Sequence, residues 1–574
     1  MRCRFELALN WSRPALTLGD GLILLALATL LYIGARLALR TPAAITGPAI
    51  SLSPAALPWY ALLSVGRMTA AYLLSLLFTL TYGYASARSR TAEKILSPML
   101  DVLQSVPILS FLPVVLLGLT AVLPQGVAVE LSSIVLIVTS QAWNMAFSFF
   151  QSLLTLPVEM REASAIFRLN PWLRFKTMEL PFAALGLIWN SMMSWAGGWF
   201  FLMAAETFTV GSRDFRLPGL GSYLQTAANS GDLRSVLLGI GTLVLIIVLM
   251  DQFVWRAILA WADKFKVEMV GSDEAPESWF YNALSRSWFL EQFSLRLWHP
   301  LAERVDAAMG DLFKTPVAPV ERTADERPSM ALILVGVVAV AAVIYGAIRA
   351  GAMLITLPIG QWGRIGEGLV ATLLRVTLSL AIAAVWTIPV GVWIGTNRRL
   401  AAVLQPIVQI VASVPATALF PVILLMLINV AGGLNLAAVL LMLMGTQWYV
   451  LFNVIAGASA IPQDLSYTTD LLQVKGWERW RTLILPALFP YLITGMITAG
   501  GGAWNASIVA EYVSFGGQIH STLGVGALIA EATATGNYTL LLGATLTLII
   551  AVITINRLLW RRLYQVAEDK YRME

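Results

Sequence analysis

The sequence predicts an all-α, polytopic membrane protein of about twelve transmembrane helices, arranged as two tandem six-helix units. Three observations predict it. Only 12% of the 574 residues are charged and 58% are apolar, whereas a soluble domain carries roughly 25% charge. Runs of about 20 apolar residues, long enough to cross ~30 Å of hydrocarbon, recur along a chain whose mean hydropathy is +0.75. The second half of the chain also copies the first at a nearly fixed spacing.

Taken in order, spans are expected near 18–39, 60–87, 99–121, 129–155, 182–207 and 235–257, then near 330–350, 366–395, 404–429, 434–459, 483–510 and 538–558. Placing both termini in the cytoplasm puts most of the 38 Lys and Arg in inner loops and tails, and leaves only Arg36, Arg40, Arg213, Arg216, Arg234, Arg349 and Arg364 outside. The positive-inside rule selects this orientation. Arg67 and Arg375 fall within spans. The predicted domains are 1–261 and 330–574, joined by a charged cytoplasmic linker at 262–329. Within the linker, Trp279, Phe280, Tyr281, Trp288, Phe289, Phe293 and Trp298 lie among charges. That composition suits a helix in the headgroup region, with a plain tether or a small soluble subdomain as the alternatives.

The same composition excludes several functions. A single Cys, Cys3, and two histidines, His299 and His520, supply no thiolate cluster and little imidazole chemistry, so neither a metal site nor redox work is expected. The net charge of +5 follows the inner loops and does not form one basic patch, so no nucleic-acid partner is expected.

The repeat is specific. Arg67, Gly83, Pro98, Ser105-Val106-Pro107 and Pro113 match Arg375, Gly391, Pro406, Ser413-Val414-Pro415 and Pro421 at an offset of +308. Further on, Pro157, Trp172, Pro181, Gly197, Trp199, Glu206, Gly219, Gly221 and Gly231 match Pro462, Trp477, Pro486, Gly502, Trp504, Glu511, Gly524, Gly526 and Gly536 at +305. An even number of spans per unit gives both halves the same orientation, related by an axis along the membrane normal, with a pathway expected between them.

The richest repeated segment is the inner loop between the fourth and fifth spans, 157–181 and 462–486. Glu159, Arg161, Glu162, Arg168, Arg174 and Lys176 alternate with Ala163, Ala165, Ile166, Leu169 and Trp172, a pattern for short amphipathic helices that dock on a soluble partner. These loops resemble the coupling loops of the transmembrane subunits of ATP-binding cassette importers, which read E-A-A, three residues, G, nine residues, I-x-L-P. The first half gives Glu162-Ala163-Ser164, Arg168 in the glycine slot, and Met178-Glu179-Leu180-Pro181. The second gives Tyr467-Thr468-Thr469, Gln473 in that slot, and Leu483-Ile484-Leu485-Pro486. Leu373-Leu374-Arg375-Val376, Pro389-Val390-Gly391, Ile508-Val509-Ala510-Glu511 and Leu523-Gly524-Val525-Gly526 resemble the subgroup for nitrate, sulfonate, taurine and bicarbonate uptake.

The resemblance implies two fused type I importer (MetI-like) transmembrane domains in a bacterial cytoplasmic membrane. It implies two ATPase subunits seated on Glu162, Ala163, Arg168, Asn170 and Trp172 and on Asp470, Gln473, Lys475, Gly476 and Trp477, and an extracytoplasmic solute-binding protein. The chain has no phosphate-binding G-x-x-x-x-G-K-[ST]; its Lys176-Thr177 follows Phe175. ATP and Mg would therefore sit on the partner subunits, and no cofactor is expected in this chain. A small anion or organic solute is the implied cargo.

Ionisable and polar side chains inside spans are costly, at least about 2.5 kcal/mol for a charge at a helix centre, and so are functional candidates. For Glu206 and Glu511 two readings stand: lining or gating the pathway, or hydrogen bonding to the glycine-rich turns at 219–221 and 524–526. Ser105 with Pro107, and Ser413 with Pro415, interrupt spans and free backbone groups for a cavity. Gln141, Asn144, Asn190, Gln447 and Asn505 are further pathway candidates, as are Trp199 and Trp504, whose neighbours Gly197 and Gly502 read as close-packing positions. The alternative to a driven importer is an ion-gradient secondary transporter of six-plus-six topology.

Overall fold

The computed structural model describes the chain except residues 1–17, 39–46, 89–91, 94–95, 97–98, 101–102, 105, 211–212, 266–277, 288–291, 293–294, 297–298, 313–329, 428–429, 462, 516–517 and 572–574. Cys3, Arg40, Pro98, Ser105, Pro462, Trp288, Phe289, Phe293 and Trp298, singled out above, lie outside the described residues.

The first half runs α1 (Leu18–Ala38), α2 (Leu57–Arg88), α3 (Leu112–Thr120), α4 (Gln125–Leu154), two short loop helices α5 (Val158–Ile166) and α6 (Pro171–Arg174), and α7 (Leu180–Glu206). It closes with a small hairpin, β1 (Thr209–Val210) and β2 (Arg213–Asp214), then α8 (Leu220–Asn229), α9 (Leu233–Met250) and α10 (Arg256–Ala262). The linker contributes α11 (Trp279–Ser285) and α12 (His299–Leu312). The second half runs α13 (Met330–Ile355), α14 (Ile359–Gly395), α15 (Arg398–Ser413), α16 (Ala416–Leu427), α17 (Gly433–Ser459), α18 (Gln463–Leu471), α19 (Gly476–Arg479) and α20 (Leu485–Ala510). It ends with hairpin β3 (Tyr512–Phe515) and β4 (Gln518–Ser521), then α21 (Val525–Thr535), α22 (Tyr538–Ile555) and α23 (Arg561–Tyr571). The fold is the expected all-helical membrane architecture, with two short antiparallel hairpins at equivalent places.

Each half packs its long helices in the same order. Helix α2 packs on α4 and α4 on α7, as α14 packs on α17 and α17 on α20. Local backbone irregularities repeat too. A π turn at 175–179 recurs at 480–484, and another at 251–255 recurs at 556–560. Gly231 and Gly536, with φ of +68° and +69°, end equivalent helices. Asp232 and Asn537 then cap α9 and α22 by accepting from the N–H groups of Ser235 and Leu540, the usual role of such residues at a helix start. Close approach sets the glycines: a Cβ on Gly391 would lie 2.6 Å from Val454 Cγ1, and one on Gly83 2.7 Å from Phe149 Cδ1.

Among the described residues, eight helices are long and apolar enough to cross a membrane alone, and a ninth crossing follows if α15 and α16, bent by 71°, form one broken span. The expected third span at 99–121 is not one rod. A turn at Ile108–Ser110 precedes α3, which at nine residues reaches only about 14 Å. Proline causes both breaks: it lacks an N–H and drives the preceding residue out of the α region, and Val414, before Pro415, is extended at ψ +116°. Helix α7 has 27 residues and is long enough at about 40 Å. It is less apolar because protein, not lipid, covers much of it, and so it carries Asn190, Ser191 and Ser194. Helix α1 offers only the apolar stretch Gly21–Leu37.

The pseudo-two-fold symmetry stops at the first helix of each half. Helices α1 and α13 pack on one another and both touch α22. Thr29 Oγ1 on α1 donates to the Val343 carbonyl at 2.8 Å.

Candidate translocation and coupling sites

The two repeated loops at 157–181 and 462–486 are built as helix, corner and helix. Helix α5 ends in a corner at Phe167–Leu169 before α6, whose first turn is capped by Asn170 Oδ1 accepting from the Leu173 N–H at 2.8 Å. Arg168, in the slot where the importer pattern has glycine, has φ +50°, and Gln473 in the second loop has φ +55°. They are the two non-glycine residues with positive φ among the described residues. The corner therefore demands the left-handed region, which L side chains enter at a cost of about 1–2 kcal/mol. This explains physically why that slot favours glycine. Gly476, also left-handed at φ +58°, follows Lys475 at the start of α19, where no side chain caps the helix.

The two loops differ in what covers them. Trp172 Nε1 donates to Asp306 Oδ1 at 2.9 Å, and Lys176 pairs with the same carboxylate, so linker helix α12 is fastened to the first loop. These two donors hold the Asp306 carboxyl below the usual range, the Lys176 contact being the larger cause. Trp477, the equivalent of Trp172, is 73% exposed, beside exposed Tyr467, Leu471 and Leu472. Glu162 and Arg168 are exposed and Ala163 half-buried, and Asp470 pairs with Arg479 at 2.9 Å.

Glu206 and Glu511 line neither of the two cavities described below, and their contacts are to the glycine-rich turns. Both are fully buried. Glu206 accepts from Ser64 Oγ at 2.7 Å, Arg67 Nη1 at 2.8 Å and the Gly221 N–H at 2.7 Å. Glu511 accepts from Thr372 Oγ1 at 2.7 Å, Arg375 Nη1 at 2.8 Å and the Gly526 N–H at 2.9 Å. Ser64 and Thr372 in turn accept from the N–H of Leu220 and of Val525 at 3.0 Å. Each clamp ties the end of α7 or α20 to the turn before the next helix. A Cβ on Gly219 or Gly524 would come within 2.3 or 2.0 Å of the carboxylate, so any other residue there displaces the glutamate from its clamp. The outer partner of the arginine differs: Arg67 meets Glu130 at 2.7 Å through both Nε and Nη2, whereas Arg375 meets Asn435 and Thr522.

Two cavities lie between the halves. The inner one, about 100 Å³, is lined by Trp195, Trp199, Asp251 and Trp255 of the first half and by Gln409, Ser413, Pro415, Trp448, Tyr449 and Asn505 of the second. Trp199, Ser413, Pro415 and Asn505 were candidates, and the structure brings them together here. Asn505 also joins the halves, its Oδ1 accepting from the Leu109 N–H at 3.3 Å, beside the Pro107 break. Gly197 lines the same cavity, and the Tyr449 hydroxyl sits 3.1 Å from where a Cβ on it would be, a close approach between the halves. The outer cavity, about 580 Å³, lies at the end of α7 and α20 away from the coupling loops and is lined in part by Arg213, Asp214, Arg216, Phe208, Leu109, Phe420 and Ile508.

The remaining candidates line neither cavity. Gln141 is fully buried near Ser75 and Met68, Asn190 bonds back to the Gly186 carbonyl, and Trp504 is buried in the core. Pro107 is buried beside the cavities, and Asn144 and Gln447 are half-buried. Four residues escaped the sequence reading. Asp251, paired with Arg256 at 3.0 Å, and Glu130 were already visible as charges inside the expected spans 235–257 and 129–155. Gln409 reaches Asp251 across the halves at 3.4 Å, and Tyr449 enters from α17; neither carries a sequence signal beyond being polar in a span.

Comparison with known proteins agrees with this geometry. Residues 71–256 and 387–572, together well over half of the chain, each match the family described as the binding-protein-dependent transport system inner membrane component. The chain is 33% identical over 184 residues to the bicarbonate transport system permease protein CmpB of Synechococcus elongatus, covering 31% of this chain and 63% of that protein. It is 27% identical over 168 residues to the nitrate import permease protein NrtB of a Synechocystis species, covering 29% and 58%, and 26% identical over 166 residues to the taurine transport system permease protein TauC of Escherichia coli, covering 29% and 57%. The chain thus spans less than two thirds of the length of these relatives. Two family matches in one polypeptide, the repeated clamps and the paired loops converge: the chain belongs to the binding-protein-dependent inner membrane transport family, as an ABC importer permease with two domains fused in tandem.

Proposed function

We propose that this chain is the whole transmembrane part of an ATP-driven importer for small oxyanions, its two fused halves enclosing one pathway. The observation that carries the reading is the pair of coupling loops at 157–181 and 462–486, in register and each with a left-handed residue in the glycine slot. Two ATPase subunits seat on these loops and bind the ATP and Mg. A solute-binding protein delivers cargo to the outer cavity. Relatives named for bicarbonate, nitrate and taurine support the cargo class, because all three present an oxyanion.

The mechanical link is short. Each loop runs through a π turn into α7 or α20, the helices that carry Trp199 and Asn505 to the inner cavity. Closure of the ATPases on ATP draws the loops together and tilts these two helices against each other. The contact between Asn505 and the Leu109 backbone then opens or closes the space between the halves, as alternating access requires. The inner positions of the charged loops put both termini in the cytoplasm.

Reconstitution tests it. The complex in proteoliposomes, with internal ATP orientation controlled and ionophores present, accumulates labelled bicarbonate, nitrate or taurine only with ATP. Uptake driven by a proton or sodium gradient without ATP would refute the reading in favour of a secondary transporter.

A further inference from the structure

We propose that Arg213 in the outer cavity is an oxyanion-binding residue, the point at which incoming cargo first meets the permease. This inference rests on the importer reading above and deepens it by naming a substrate contact.

The cavity is shared by both halves and is large enough, at about 580 Å³, for a small solute with water. Among the lining residues the charged ones are Arg213, Asp214 and Arg216. Arg216 is already neutralised: its Nε contacts both Asp214 oxygens at 2.9 Å, and its Nη2 bonds Oδ2 at 2.5 Å. Its own N–H donates to Asp214 Oδ1 at 3.0 Å, so the pair is a closed unit fixed by the chain itself. Arg213 differs. Its Nη1 meets the Tyr538 hydroxyl at 3.3 Å, a neutral partner from the other half, and no carboxylate reaches it among the described residues. A guanidinium has five N–H donors in a planar fork, and that fork matches an oxyanion bidentately. One net positive charge therefore faces a cavity whose walls include Leu109, Phe208, Phe420 and Ile508. Apolar walls lower the local dielectric and lengthen the reach of that charge.

The position suits a transient contact. Tyr538 begins α22 and Arg213 begins the second strand of the first hairpin, so the residue bridges the two halves at the cavity that a delivered anion enters. A single charge-assisted contact binds without trapping.

The test uses the complex of full chain, ATPases and binding protein in proteoliposomes, with labelled nitrate, bicarbonate and taurine as probes. Arg213→Gln is expected to raise the half-saturating concentration of the transported probe about tenfold, and Arg213→Lys, which keeps the charge but not the fork, to fall between Arg213→Gln and wild type. Asp214→Asn, which unmasks Arg216, is expected to lower the half-saturating concentration. Affinity of the complex for its binding protein is measured in parallel on the same variants, and the unfolding midpoint checks that each is folded. An unchanged half-saturating concentration in Arg213→Gln overturns the inference. So does a loss that follows weakened binding-protein affinity, which would make Arg213 a docking contact. If wild type moves none of the three probes, the cargo reading itself fails, a result separate from the behaviour of the variants.

Discussion

Glutamine in place of Glu511 removes the one carboxylate that Arg375 touches among the described residues, leaving a guanidinium that is 11% exposed with only neutral partners, Asn435, Thr522 and the new amide. Removing one member of a buried pair costs about 3–5 kcal/mol, because the other charge is left uncompensated. The matching Glu206→Gln is milder, since Arg67 keeps Glu130 at 2.7 Å through two of its nitrogens; losing the hydrogen bonds alone costs about 1–3 kcal/mol. Equilibrium unfolding in mixed micelles should therefore rank Glu511→Gln as the more destabilising by about 2 kcal/mol. Hydrogen exchange should locate the damage at Gly526 and Ala527, whose N–H groups point at Glu511 Oε2. Adding Arg375→Met to Glu511→Gln should recover part of the loss, because no unpaired cation remains. Equal losses for the two glutamine variants, or a double variant worse than the sum of its parts, would refute the argument that the second clamp depends on one ion pair.

Four further outcomes follow from the same geometry. Gly524→Ala, whose Cβ would fall 2.0 Å from Glu511 Oε2, should break the second clamp and mimic Glu511→Gln in the unfolding assay. Arg168→Gly and Gln473→Gly should each stabilise their loop by up to about 1 kcal/mol by relieving left-handed strain, whereas valine there should weaken ATPase binding, read by titration of the isolated subunit. Trp477→Ala removes an exposed side chain and should leave the unfolding midpoint unchanged while uncoupling ATP hydrolysis from uptake; Trp172→Ala should instead release α12 and increase proteolysis of the linker. The Asp306 contact has a defined acid limit. Its carboxyl is lowered in the folded chain by Lys176 and Trp172, so the contact is fully present above the unfolded value of about 3.9 and is lost only as pH falls through the lower folded value. Fluorescence of Trp172 in a variant lacking neighbouring tryptophans should therefore stay constant from neutral pH to about pH 4.

Much of this was legible in the sequence because the repeat samples each position twice. The offset linking Arg67 to Arg375 and Glu206 to Glu511 marks residues that share one environment, and the structure finds them in the same clamp. Proline placement announced the breaks at Pro107 and Pro415, but not the 71° bend at the second, since hydropathy cannot separate a rod from a bent pair. Polarity within a span was a poor guide to the pathway. Gln141 and Asn190 satisfy themselves against their own or a neighbouring helix, while Asn505 faces the cavity, and the difference is helix rotation, which one sequence does not encode. Arg213 was assigned to an outer loop by charge counting, and only the hairpin shows it turned to the space between the halves.

The central claim, that one chain supplies both halves of the pathway, is tested most directly by the native mass of the complex extracted from its own membrane. The account predicts one copy of this chain with two ATPase subunits. Two copies of the chain per ATPase pair, or no ATPase retained after crosslinking, would contradict it.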